Sequence, residues 1–294
     1  MKITQKEFFH SDTTVAVHIT NKCNMRCPYC YQQRFDGYDG IMNKERVYDA
    51  IKNISPKTIL CFGGEPMLYP QMILDIMNDF PQCDIGVITN GTIWNKEIFD
   101  RSVVIMVTLE SFFFDFAPEN RKYTKNQWDN VQNLIETYKD KVLIMHNIYP
   151  KHNDPYFAKI AALGEFMWQT YPIISYDEDA EYDVKALMQY NVNMDIFDTP
   201  KLRILMDGTL SKDMRQKYNL HSYKEFSNQD INAKVPLHDK CKSCCYADTC
   251  PGVKMFPHFC KDVLDEPSIK DPHFCKVARW IKNLYHDNER QPET

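Results

Sequence analysis

Residues 15–31, from Val15 to Tyr31, read VAVHITNKCNMRCPYCY. Val15, Val17 and Ile19 alternate with Ala16 and His18, the period of a strand. Cys23, Cys27 and Cys30 follow at once as C-x3-C-x2-C. Three thiolates within eight residues of loop can hold three irons of a cubane iron–sulfur cluster. No fourth cysteine lies near in sequence, so one iron of such a cube is left open.

Outward from this loop the pattern is regular. Val47, Ala50, Ile51 and Ile54 fall on one helical face, and Ser55-Pro56 ends that helix. KTILCFGGEP (57–66) then places a short buried strand, Thr58 to Phe62, before Gly63-Gly64-Glu65-Pro66. Two glycines let backbone approach a ligand without Cβ interference, and the carboxylate beyond them can accept from a ligand ammonium. Ile73, Ile76, Met77 and Phe80 mark a helix, and DIGVITNGT a strand ending in a turn at Asn90-Gly91. Residues 94–100 form a weak helix, and Val103 to Leu109 a continuous apolar strand. Val131, Leu134, Ile135 and Tyr138 mark another helix, Lys141 to Ile148 a strand, and Ile160, Leu163 and Met167 a helix. Tyr171 to Tyr176 is the sixth strand. Six strands alternating with helices predict a parallel sheet with right-handed crossovers. Their near-continuous apolar character agrees, because parallel sheets are buried on both faces.

The cysteine array has Thr20 and Asn21 leading in, Asn24 after the first cysteine and aromatic Tyr29 before the third. With the GGEP turn at the end of the next strand, it resembles the radical S-adenosylmethionine (SAM) superfamily. The resemblance implies an α/β fold, a partial (β/α)6 TIM-like barrel of parallel strands. It implies a [4Fe-4S] cluster on Cys23, Cys27 and Cys30 whose open iron is chelated by the amino and carboxylate groups of SAM. One electron then cleaves SAM to a 5′-deoxyadenosyl radical, which abstracts a hydrogen atom from the substrate. The resemblance places Gly63, Gly64 and Glu65 at the SAM amino group and Tyr29 on its adenine. Thr108 and Glu110 stand where the family has Ser and Asp near the ribose and methionyl carboxylate. Asn90 lies in a TNG turn that is common among relatives and faces the same cavity, although an Asn-Gly turn favouring positive φ also accounts for it. No residue is singled out as catalytic.

Beyond the sixth strand the character changes. YDEDAEYD is acidic, and it reads as a solvated face or as a means of recognising a cationic substrate. The chain divides into a barrel at 1–180, a linker or lid at 181–200 and a small C-terminal cysteine-rich metal-cluster domain at 201–294. LRILMDGTLSKD (202–213) gives a hairpin around Asp207-Gly208. Cys241, Cys244 and Cys250 follow as C-x2-C-x5-C, then PHFCK twice, ending at Cys260 and Cys275, and a final helix bearing Val277, Trp280, Ile281 and Leu284. This resembles the auxiliary-cluster domain called SPASM, or the shorter twitch domain. Asp213 occupies the place of one ligand of the family's first auxiliary cluster, so that cluster is absent and the second survives. Its implied ligands are Cys241, Cys244, Cys250 and Cys275, with Cys260 the alternative for the last. Four cysteines can equally hold a structural zinc.

The chain has 294 residues, 44% hydrophobic and 26% charged, with a net charge of −5. That balance gives no electrostatic footprint for nucleic acid and no polybasic membrane patch, and no apolar run is long enough for a membrane helix. Eleven cysteines, an odd number clustered at short spacings behind an N-terminus without signal-peptide character, read as metal ligation in a reducing cytoplasm. Cys61, Cys83 and Cys245 read as packing, as do His18 and His146 on their strands. The expected function is a radical SAM enzyme that modifies a peptide or protein and takes its electron from a flavodoxin or ferredoxin. The alternatives are a twitch-type dehydrogenase or isomerase of a sugar or nucleotide, and a non-catalytic iron–sulfur or zinc protein.

Overall fold

The structure, a computed structural model, describes residues 14–27, 30, 40–109, 121–148, 167–172, 202–211, 237–247, 250 and 275. Its strands are β1 (Thr14–Thr20), β2 (Thr58–Gly63), β3 (Asp84–Thr89), β4 (Val104–Leu109), β5 (Val142–Ile148), β6 (Met167–Pro172), β7 (Leu202–Ile204) and β8 (Leu210–Ser211). Its helices are α1 (Lys44–Ile54), α2 (Pro70–Asp79), α3 (Lys96–Arg101), α4 (Arg121–Tyr138) and α5 (Asp239–Lys242). The strands form one sheet in the order β6-β5-β4-β3-β2-β1-β7-β8. The first six are parallel and spatially sequential. This is the partial barrel the sequence predicts.

Alternation along each strand sorts side chains onto two faces. Val15, Val17, Ile59, Cys61, Val87, Ile105 and Ile144 face the helices and join Ile51, Ile73, Ile98 and Leu134 in one buried cluster. Leu60, Val104, Met106 and Leu143 make a second cluster on the inner face. Local signals hold the helices in register with it. The Asn43 side chain caps α1 by accepting from the Arg46 amide at 3.1 Å, and Ser55 ends that helix in the left-handed region. Asn95 caps α3 in the same way through the Ile98 amide.

Two elements differ from the sequence expectation. The strand expected from Tyr171 begins at Met167, so Met167 is a strand residue rather than the end of a helix. Pairing with β5 from Leu143↔Met167 to Ile148↔Pro172 sets that start, and a helical spacing of three apolar residues cannot reveal it. α4 starts at Arg121, ten residues before Val131. Its polar first half carries no apolar period but does carry the Lys125–Asp129 pair one turn apart.

The hairpin at Asp207-Gly208 is present, with Asp207 accepting from the Thr209 amide and hydroxyl. β7 pairs parallel with β1, Val15↔Leu202 to Val17↔Ile204, so the segment expected to open the second unit extends the barrel's own sheet. Its tip packs on α1, where a Cβ at Gly208 would lie 2.8 Å from the Arg46 carbonyl oxygen. Among the described residues no helix is long and apolar enough to cross a membrane.

Phe99 ties α3 to the core, 1% exposed and edge-on to Trp94 at 5.2 Å. Phe99→Ala should cost about 3–5 kcal/mol in urea unfolding. A loss under about 1 kcal/mol would show that α3 is peripheral to the core.

Candidate active site

The cysteine loop leaves β1 at Thr20 and returns at Gly40. Its neck is closed by the Thr20 hydroxyl donating to the Gly40 carbonyl at 2.7 Å and the Met42 amide to the Ile19 carbonyl at 2.8 Å. Inside the neck, Met25 is buried and Arg26 donates to the carbonyls of Cys23 (2.7 Å) and Met25 (2.9 Å). The Cys30 amide donates to the Cys27 carbonyl at 3.0 Å, which brings the backbones of these two cysteines together.

The GGEP turn is bound to this loop through backbone. Gly64 N–H donates to the Thr20 carbonyl at 2.7 Å and Glu65 N–H to the Lys22 carbonyl at 2.8 Å. A Cβ on Gly63 would stand 2.3 Å from the Thr20 carbonyl oxygen, and one on Gly64 would stand 2.4 Å from that of Lys22. Gly63 also has φ +147°. The glycines therefore permit close approach of the cysteine loop's own entry.

Glu65 is fully buried. One carboxylate oxygen accepts from the Met67 amide at 2.9 Å and the Thr89 hydroxyl at 2.8 Å, and the other from the Asn90 amide at 2.6 Å. This carboxylate serves three protein donors, as a buried carboxylate must. Burial pushes its pKa up to about 7, against those three hydrogen bonds.

Asn90 is the meeting point. Its side-chain oxygen accepts from the Thr92 amide (3.0 Å) and hydroxyl (2.6 Å). Its side-chain nitrogen donates to Asn24 Oδ1 at 2.8 Å and lies 3.8 Å from Cys23 Sγ. Asn24 Nδ2 donates to Thr92 Oγ1 at 2.8 Å, closing a ring of three side chains. Gln127 of α4 donates to the carbonyls of Asn90 and Thr108, and Asn130 to that of Gly91 at 2.9 Å. Sequence reasoning singled out Asn90 but missed Thr89, Thr92, Gln127 and Asn130. Their only sequence signal is polarity on a strand end or a helix face.

Cys23 accepts from the Met25 amide at 3.3 Å. Burial, with the charges of Glu65 and Cys30, pushes its thiol up to about 11. It therefore keeps its proton until a metal displaces it. Cys23, Cys27 and Cys30 are free of disulfides and partly accessible, a donor set that fits a cubane cluster. Among the described residues no three His, Cys, Asp or Glu side chains converge as ligands of one ion. A cube differs from such a site in giving each thiolate its own iron. Below the site His18 is buried against Phe62, with ring centroids 4.8 Å apart. Burial, aided by the Arg203 charge, lowers its pKa to about 4 and keeps it neutral.

Cys241, Cys244 and Cys250 lie along a run of three-residue turns. Amide-to-carbonyl bonds run from Cys241 to His238, Cys244 to Cys241, Ala247 to Cys244 and Cys250 to Ala247. These cysteines and Cys275 are also free of disulfides. Tyr29, Glu110, Cys260, the acidic stretch 177–183 and the terminal helix lie outside the described residues.

The chain matches the family model of the radical SAM superfamily over residues 17–164. It is 27% identical over 109 residues to the tungsten-containing aldehyde ferredoxin oxidoreductase cofactor-modifying protein of Pyrococcus furiosus, covering 35% of this chain and 30% of that one. It is 23% identical over 244 residues to the radical SAM cyclopropyl synthase TigE of Paramaledivibacter caminithermalis, covering 74% of this chain and 44% of TigE. The matches thus span less than half the length of these curated relatives. Streptococcus suis SuiB bound to precursor peptide SuiA shares the fold with a TM-score of 0.58 at 11% identity, over 87% of this chain and 73% of SuiB.

Gly64→Ala should force the Lys22 carbonyl away and cost about 1–3 kcal/mol in urea unfolding, with faster proteolysis between Asn21 and Gly40. Unchanged stability would show that the contact is loose. Glu65 gives a second prediction. Because the native state keeps its proton from the ordinary value of 4.5 up to about 7, stability is greatest below that window and falls as pH rises through it. Glu65→Gln should flatten that slope, and an unaltered slope would show that Glu65 titrates normally.

Proposed function

Because this chain belongs to the radical SAM superfamily, whose members are enzymes, we propose that it modifies a peptide or protein by radical chemistry. Membership implies a [4Fe-4S] cluster and SAM. The observation that supports their placement is the backbone pairing of the cysteine loop with Gly63-Gly64-Glu65 at the carboxyl ends of β1 and β2, where α/β sites are built. Cys23, Cys27 and Cys30 hold the cluster, and Gly63, Gly64 and Glu65, with Asn90 and Thr108 on the next strand ends, line the place for SAM. Tyr29 and Glu110 complete that lining. When bound, the pair supplies a 5′-deoxyadenosyl radical to the substrate. The chain's own part is to hold, orient and keep dry. The apolar inner cluster of Leu60, Val104, Met106 and Leu143 excludes water beneath the site.

The peptide substrate class is supported by the fold shared with SuiB bound to its precursor peptide. We assign residues 1–180 to the barrel, 181–200 to a linker or lid and 201–294 to an auxiliary-cluster unit in the cytoplasm. In that unit Cys241, Cys244, Cys250 and Cys275 close a second cluster that relays electrons, with a flavodoxin or ferredoxin as the external donor.

Anaerobic iron, sulfide and zinc analysis tests this, with 5′-deoxyadenosine release from SAM as the activity readout. The intact chain should hold about eight irons and the Cys23/Cys27/Cys30→Ala variant about four, and only the intact chain should cleave SAM. About four irons plus one zinc, falling to zinc alone, would make the C-terminal unit structural. No SAM cleavage by the iron-loaded chain would leave a binding protein.

A further inference from the structure

Hydrogen-bond accounting around Asn90 leaves one N–H aimed at sulfur. Its carboxamide oxygen takes both the amide and the hydroxyl of Thr92, at 3.0 and 2.6 Å. That fixes the orientation of the group, because the reversed amide would set its NH2 against the Thr92 amide N–H, which can only donate. Of the two hydrogens on Nδ2, one goes to Asn24 Oδ1 at 2.8 Å. The other is left to Cys23 Sγ, 3.8 Å away and within reach of the larger sulfur atom. The donor cannot swing away. Asn90 is 9% exposed, its own amide is held by Glu65 and its carbonyl by Gln127. Asn24 is locked in turn through Thr92. Cys23 also receives the Met25 amide at 3.3 Å, so this thiol has two N–H donors set around it.

We propose that Asn90 is a positioning residue that sets the reduction potential of the cluster through its side-chain N–H to Cys23. The inference rests on the assignment of Cys23 as a cluster ligand. A neutral donor adds no net charge, and it favours the state with more negative charge on sulfur, which is the reduced one. Hydrogen bonds to cluster sulfurs are a principal determinant of such potentials. The contact to a thiol is long, and the same contact to a thiolate is charge-assisted and shorter. Asn90 thereby links the frame built on Glu65 to the redox centre.

The test is an EPR-monitored redox titration of the full reconstituted chain, following the signal that changes when SAM is added. Asn90→Ala should keep its iron and move the midpoint to more negative potential. Asn24→Ala, which leaves the donor to Cys23 and its Thr92 anchor in place, should stay near the wild type. Equal midpoints for wild type and Asn90→Ala would overturn the proposal. So would equal shifts in both variants, which would report a disturbed loop. If Asn90→Ala fails to hold iron, the wild type decides. Pulsed EPR on protein labelled with 15N only in asparagine side chains should show a nitrogen coupling on the SAM-responsive signal, and its absence overturns the proposal. A wild type with no SAM-responsive signal would instead sink the cluster assignment itself.

Discussion

The backbone contact between Gly63-Gly64 and the entry to the cysteine loop is the constraint on which the site depends. Two amide-to-carbonyl bonds, Gly64 to Thr20 and Glu65 to Lys22, carry the parallel ladder of β1 and β2 past the last strand residues into the loops. No side chain fits between them, since even a Cβ at Gly64 would stand 2.4 Å from a carbonyl oxygen. The first cysteine is therefore positioned by sheet register rather than by loop conformation. Elements on a rigid sheet place functional groups more accurately than free loops do.

Burial of Glu65 extends that placement across the sheet. A carboxylate with no exposure must gather donors or stay protonated, and its donors come from Met67 on its own turn and Thr89 and Asn90 on the end of β3. Asn90 then returns to the cysteine loop through Asn24 and Cys23, while Gln127 brings α4 onto Asn90 and Thr108. Loop, turn, strand end and helix form one closed polar circuit above an apolar floor. Such a network is stabilising only when every member is satisfied.

Much of this was legible in the sequence. The thiol spacing, the GGEP turn and the alternation of strands with helices are local patterns, and local patterns survive without knowledge of the fold. What the sequence left unread shares one cause. That the two glycines pack against the cysteine loop's entry, and that Glu65 gathers three N–H and O–H donors, depends on what the register brings opposite them. The start of β6 at Met167 and the place of β7 beside β1 are likewise facts of pairing. Gln127 lies in a helix half with no apolar period, so nothing distinguishes it from its polar neighbours until α4 is laid on the sheet.

The position of β7 bears on how a second unit could serve the first. The strand adds to the β1 edge, so the chain leaves the sheet at Ser211 two strands from the one that feeds Cys23. A unit attached at the opposite edge, beyond β6, would begin five strands away from β1. An electron relay needs short separations, and a structural zinc does not. The hairpin also packs its tip on α1 and its Met206 against Gly40 at the neck of the cysteine loop. The β7–β8 hairpin is thus in contact with the closure of the cysteine loop. The Asn43 amide, just past that neck, donates to the Met206 carbonyl at 2.7 Å, which ties the hairpin to the start of α1.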